Sequence, residues 1–103
     1  TMKTIMSTDE FASHIPYGKD RAVTREFLCL LFGMSDRELR RMIQAARNDG
    51  HIIINNQSGC GYYRSEDLDD IKTQYLQNHR RALSILVQQK HLRRRLKDAG
   101  VEV

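Results

Sequence analysis

Residues 33–50, "GMSDRELRRMIQAARNDG", decide how the rest of the chain is read. Ser35 and Glu38 stand at the spacing of a capping box. In that motif a serine side chain accepts an amide of the first helical turn, and a glutamate reaches back to the serine's own amide. Gly50 supplies a left-handed stop at the other end. Between them Leu39, Met42, Ile43 and Ala46 recur at i, i+3, i+4 and i+7, so one stripe of the helix faces a core. At about 100° per residue, Arg37, Arg41, Gln44 and Asn48 point the other way, with Arg40 and Arg47 on the flank. Asp36 and Glu38 fall in the first turn or at the edges, where the helix dipole favours them. A solvated face ordinarily mixes signs. The centre of this one carries hydrogen-bond donors and no carboxylate.

Upstream, Ser7 and Glu10 repeat the capping spacing, and Phe11, Ala12 and Ile15 predict a short helix over about 8–16, ended by Pro16 and Gly18. Ala22-Val23 reads as a strand stub. Thr24 caps a second helix running to about Phe32, with Phe27, Leu28, Leu30 and Leu31 available to the core. Downstream, "HIIINNQSGCGYYR" (residues 51–64) reads as a hairpin. A β-branched run at Ile52–Ile54 leads into a polar, glycine-containing turn and a second strand at Tyr62-Tyr63. From Ser65 to about Asp98 there is no proline or glycine, and a helix of that length measures roughly 50 Å. The expected fold class is mostly α (α+β): three helices, a two-stranded β-hairpin and a long C-terminal helix. Residues 7–64 form the expected domain and 65–99 the helix.

The composition sets limits. The chain has 103 residues, of which 40% are hydrophobic and 29% charged, which is globular composition. No apolar stretch approaches a membrane span, and no apolar leader stands near the N-terminus, so no membrane association is expected. Two cysteines, Cys29 and Cys60, make no disulfide framework, and a reducing cytoplasm is the expected location. The net charge is +4, and the positive charge is segregated. Residues 71–97 hold eight basic side chains (Lys72, Arg80, Arg81, Lys90, Arg93, Arg94, Arg95, Lys97) and no acid, while residues 21–64 hold seven arginines against four acids. Two basic regions of this kind suit a polyanionic partner. No catalytic constellation stands out. His14, His51, His79 and His91 are scattered, and His51 with Cys60 makes only two potential ligands, too few for a structural zinc. "GCG" lacks the spacing of a phosphate loop. No enzyme, metal or cofactor is expected.

Three helices followed by a hairpin is the order of the winged helix-turn-helix family, and residues 25–44 resemble its core. Cys29 stands where that core takes a small residue, Gly33 at its turn, Met34 just after it, and Leu39 and Met42 where its second helix is locked. "GHIII" with "GCGYY" is similar to the wing of small bacterial and phage-encoded members. The resemblance covers about residues 8–64. It implies a recognition helix at 36–49 and a wing tip at 55–61. On that footing Arg37, Arg41, Gln44 and Asn48 are the base-reading candidates, because arginine pairs with guanine and glutamine or asparagine with adenine in the major groove. Thr24, Arg25, Ser35, Arg40, Arg47 and Arg64 are candidates for phosphate contacts, and Asn55, Asn56, Gln57 and Ser58 for the wing.

In the last helix, heptad spacing selects Leu68, Ile71, Tyr75, Asn78, Ala82, Ile85, Gln89, Leu92, Leu96 and Ala99. This seam implies self-association, with a homodimer through Leu68, Ile71, Tyr75, Ala82, Ile85, Leu92 and Leu96 as the expectation. Asn78 and Gln89 are then placed to fix its register. Leu76, Leu83, Leu86 and Val87 add apolar surface beyond a two-stranded seam. The functional expectation is a sequence-specific double-stranded DNA-binding protein controlling transcription or replication, in the manner of phage or prophage regulators. The alternative is an assembly adaptor that docks protein or non-specific DNA, such as a small packaging subunit or replication organiser.

Overall fold

A computed structural model describes residues 6–56, with Asn56 given by its backbone, and residues 61–103. In order these form α1 (Thr8–Ser13), a 3-10 turn (Lys19–Arg21), α2 (Arg25–Phe32), α3 (Asp36–Asn48), β1 (Ile53–Asn56), β2 (Gly61–Arg64) and α4 (Leu68–Asp98). The described residues are thus mostly helical, with one antiparallel two-stranded sheet among them and a long C-terminal helix. It divides into two compact units, one running through Ile71 and the other from Lys72 to Val103. Among the described residues no helix is long and apolar enough to cross a membrane.

Local chemistry accounts for most helix ends in the first unit. Ser7 Oγ accepts the Glu10 amide at 3.1 Å and Thr24 Oγ1 accepts the Phe27 amide at 3.1 Å, so both predicted caps form. α1 stops at Ser13 instead of running to 16. Ile15 precedes Pro16, and the proline ring disfavours helical backbone at the residue before it. The His14 and Ile15 amides then close the turn on the carbonyls of Phe11 and Ala12. Gly33 ends α2 in the left-handed conformation, at φ 63°.

Phe11, Ile15, Leu28, Leu39, Ile43, Ala46 and Ile53 form one buried cluster, with Cys29, Phe32, Met34 and Met42 packed against it. The Phe11 and Phe32 rings meet at 5.0 Å between centroids. One expectation is corrected here. Of the four α2 residues offered to the core only Leu28 is buried, while Leu30 is 85% exposed and Phe27 and Leu31 are about half exposed. α2 is apolar nearly all round, and an eight-residue helix gives the core one face. Leu28, Cys29 and Phe32, at i, i+1 and i+4, are that face.

The hairpin pairs Ile53 with Arg64, Ile54 with Tyr63, Asn55 with Tyr62 and Asn56 with Gly61. The strand stub appears as one residue. Val23 exchanges two hydrogen bonds with Tyr62 (2.9 and 2.7 Å), and Tyr17 forms a further bridge to Arg64. β2 therefore has partners on both sides. The residues after β2 form the cap of α4, which starts at Leu68 and not at Ser65. Asp67 Oδ1 accepts the Asp69 amide at 2.8 Å, while the buried Ser65 hydroxyl accepts the Asp67 amide and donates to Asp70 Oδ2, each at 3.0 Å.

Tyr63 is 3% exposed, and its hydroxyl donates to the Asp70 carboxylate. Burial first, then the negative charges of Asp70 and Asp67, push its pKa above the ordinary value of 10.0. A raised folded-state pKa means that this contribution to stability is complete below about pH 10 and is lost as pH rises through the higher folded value. Urea midpoints measured between pH 8 and pH 11 are expected to fall at the alkaline end. Tyr63→Phe is expected to flatten that fall, and an unchanged alkaline slope in the variant would sink the assignment.

Candidate nucleic-acid interface

α3 is fixed at both ends before it meets anything else. The Glu38 amide donates to Ser35 Oγ at 3.2 Å and the Ser35 amide to Glu38 Oε1 at 3.1 Å, completing both arms of the capping box. At the other end the Gly50 amide bonds the Arg47 carbonyl and the His51 amide the Ala46 carbonyl, both at 3.0 Å, with Gly50 at φ 101°. This is a Schellman closure, which only a residue tolerant of positive φ completes cheaply. His51 also pairs with Asp9 at 2.8 Å, and Thr8 donates to Asp49, so the start of α1 is tied to the end of α3.

Leu39, Ile43 and Ala46 are buried and Met42 is half-buried, as the apolar stripe requires. Arg37, Arg41, Gln44 and Asn48 are all exposed. Arg37, Arg40, Arg41 and Gln44 line one shallow cleft with Asp36. Asp36 is the one acid in that cleft, and it is shared between Arg25 Nε (2.8 Å) and Arg40 Nη2 (3.1 Å). Ion pairs this exposed contribute about 0–1 kcal/mol each. Their effect here is on charge. Asp36 is flanked by two cations, so the cleft stays net positive.

The other phosphate candidates lie in different surroundings. Thr24 and Ser35 use their hydroxyl oxygens as helix caps. Arg47 is half-buried and directs Nε and Nη2 at the Ile53 carbonyl, at 3.1 and 2.9 Å. Arg64 donates from Nε to the Ile15 carbonyl at 2.6 Å and from Nη2 to the Ser13 carbonyl at 3.5 Å, with its guanidinium 4.2 Å from the Tyr17 ring centre. These two arginines join the hairpin to α3 and to the end of α1. Arg25, Arg37, Arg40, Arg41 and Gln44 are brought together at the first half of α3, and Arg47 and Arg64 are not among them.

Asn55 is exposed on β1, opposite Tyr62. The Asn56 side chain, Gln57 and Ser58 lie outside the described residues. Along α4, Leu68, Tyr75, Ala82, Ile85, Leu92 and Leu96 are exposed and Ile71 is half-buried. Asp36 is the residue that sequence reasoning undervalued. Its i,i+4 spacing to Arg40 was visible, whereas its contact with Arg25 depends on how α2 and α3 pack. Compared with family models, curated proteins and solved structures, the chain matches none.

Proposed function

We propose that residues 7–64 are a winged helix-turn-helix domain that binds double-stranded DNA through α3, and that the chain acts as a homodimer joined by α4 to control transcription or replication. One observation carries the reading: the outer face of α3 is fully exposed, rich in arginine, and free of any carboxylate not already flanked by arginine. Arg37 and Arg41 then take base edges or phosphates, and Gln44 and Asn48 continue along the same face. Arg25 and Arg40 stand at the N-terminal end of α3, where backbone amides and the helix dipole also favour phosphate.

The test is anisotropy of a labelled duplex pool of random sequence at two salt concentrations, with native protein and Arg37→Ala/Arg41→Ala. The double variant is expected to bind about tenfold more weakly. Its salt slope should be smaller by nearly 2 per bound protomer where both arginines meet phosphate, since each phosphate contact contributes about 0.9 to that slope. Equal binding by both proteins would remove α3 from the interface.

A second reading is favoured by a different observation. Phe27, Leu30 and Leu31 give α2 an exposed apolar ridge that a DNA contact does not use. An assembly adaptor would use such a ridge against protein and bind duplex without sequence preference. Selection of tight binders from the same pool separates the two, because a regulator enriches one site and an adaptor enriches none.

A further inference from the structure

We propose that α4 pairs with α4 of a second copy in antiparallel orientation, in a register that sets Asn78 against Gln89. This rests on the dimeric reading above and adds the direction of the pair.

Within the second unit, helical residues 72–98 are largely exposed, including Tyr75, Leu83, Ile85, Leu86, Val87 and Leu92. A monomer would leave this apolar surface in water, so it calls for a cover. The charge pattern says what cover fits. Residues 72–79 carry one basic side chain, Lys72, whereas residues 90–97 carry five (Lys90, Arg93, Arg94, Arg95, Lys97). A parallel pair puts the basic ends of both helices at the same level, with Arg93 and Arg95 beside the seam. An antiparallel pair lays the basic half of each helix along the nearly neutral half of the other, and one like-charge contact, Lys72 with Arg93, remains at each end of the pair. Like charges at such distances oppose association, so the antiparallel pair is favoured.

Side-chain size selects the register. In an antiparallel seam each a position faces a d position of the partner helix. Pairing Ala82 with Ile85 also pairs Tyr75 with Leu92 and Asn78 with Gln89. Small then meets large, and the two polar seam residues meet each other, where amide can bond amide. A slip of one heptad places Asn78 against Ala82, leaving a polar group without a partner in an apolar layer. The parallel pair sets Ala82 against Ala82, which opens a gap between the helices.

The experiment uses full-length Asn78→Cys and Gln89→Cys proteins, each also carrying Cys29→Ala and Cys60→Ser. They are oxidised singly, and after being unfolded and refolded as a mixture. In the antiparallel pair identical positions are offset by 11 residues, about 16 Å along the helix, beyond the roughly 7 Å between Cα atoms that a disulfide spans. The expected result is little cross-linking in either variant alone and efficient cross-linking in the mixture. Cross-linking of each variant alone, with none gained on mixing, shows a parallel pair and overturns the proposal. No cross-link in any sample, with a dimer mass by light scattering, places the interface elsewhere and overturns it too. A monomer mass removes the dimeric reading with it. Whether α3 carries the duplex contact is decided separately, by the comparison of native protein with Arg37→Ala/Arg41→Ala.

Discussion

Gly61→Ala is expected to cost the first unit about 4 kcal/mol or more, a large part of the roughly 5–15 kcal/mol that holds a small domain folded. Gly61 opens β2 at φ 104°, where an L side chain is strained. A Cβ built there lies 1.9 Å from the Val23 carbonyl oxygen, 2.4 Å from its carbon and 2.9 Å from the Thr24 Cα. Every one of these is a backbone atom, so no rotamer change relieves the overlap. Moving Val23 breaks its paired hydrogen bonds with Tyr62 and disturbs the Thr24 cap of α2. Gly33 is the internal comparison. It is left-handed at φ 63° but has open space where its Cβ would go, so Gly33→Ala should cost only about 1 kcal/mol. Urea midpoints of the two variants, read by tyrosine fluorescence so that α4 does not dominate the signal, decide the matter. Equal midpoints would show that the approach of β2 to Val23 is not as close as described.

That contrast also marks where sequence reading stops. Gly33 was legible as the turn between α2 and α3, Gly50 as the stop of a capped, periodic segment, and Ser35 with Glu38 announced the start of α3 without any knowledge of the fold. Such signals are local: a few residues with side chains that satisfy their own backbone. The close approach of Gly61 to Val23 lies across 38 positions and has no local signature. The same limit explains α2. Its apolar residues occupy every direction, so periodicity could not say that Leu28 enters the core and Leu30 does not. The outer face of α3 was read from angles alone, and its residues are exposed as those angles require. The flanking arginines were harder. Charge and position gave Arg40 and Arg47 the same standing, but only packing shows one on an exposed aspartate and the other on a strand carbonyl.

Arg64→Ala is accordingly expected to lower the stability of the first unit by about 3 kcal/mol, while Arg41→Ala changes it by less than about 0.5 kcal/mol. The Arg64 guanidinium serves the carbonyl of Ile15, a residue with no exposed surface, and rests on the Tyr17 ring. A hydrogen bond from a charged donor contributes about 1.5–3 kcal/mol, and an exposed cation–π contact adds roughly 0.5–1 kcal/mol. Alanine leaves the Ile15 carbonyl without that donor in a part-buried setting. The cost therefore includes its desolvation and is not limited to a lost surface charge. Arg47→Ala should behave similarly, by about 1–3 kcal/mol, since the Ile53 carbonyl takes two of its donors. Arg41 lines only the shallow cleft on α3 and has no such commitment to the core. If α3 carries the DNA contact, the variants divide in opposite senses. Arg41→Ala weakens duplex binding with an unchanged urea midpoint. Arg64→Ala lowers the midpoint while the protein that remains folded keeps its affinity to within about twofold, allowing for one charge lost to screening. An Arg64→Ala protein of native stability would mean that the arginine is free to serve phosphate after all, and would move β2 from the scaffold into the interface.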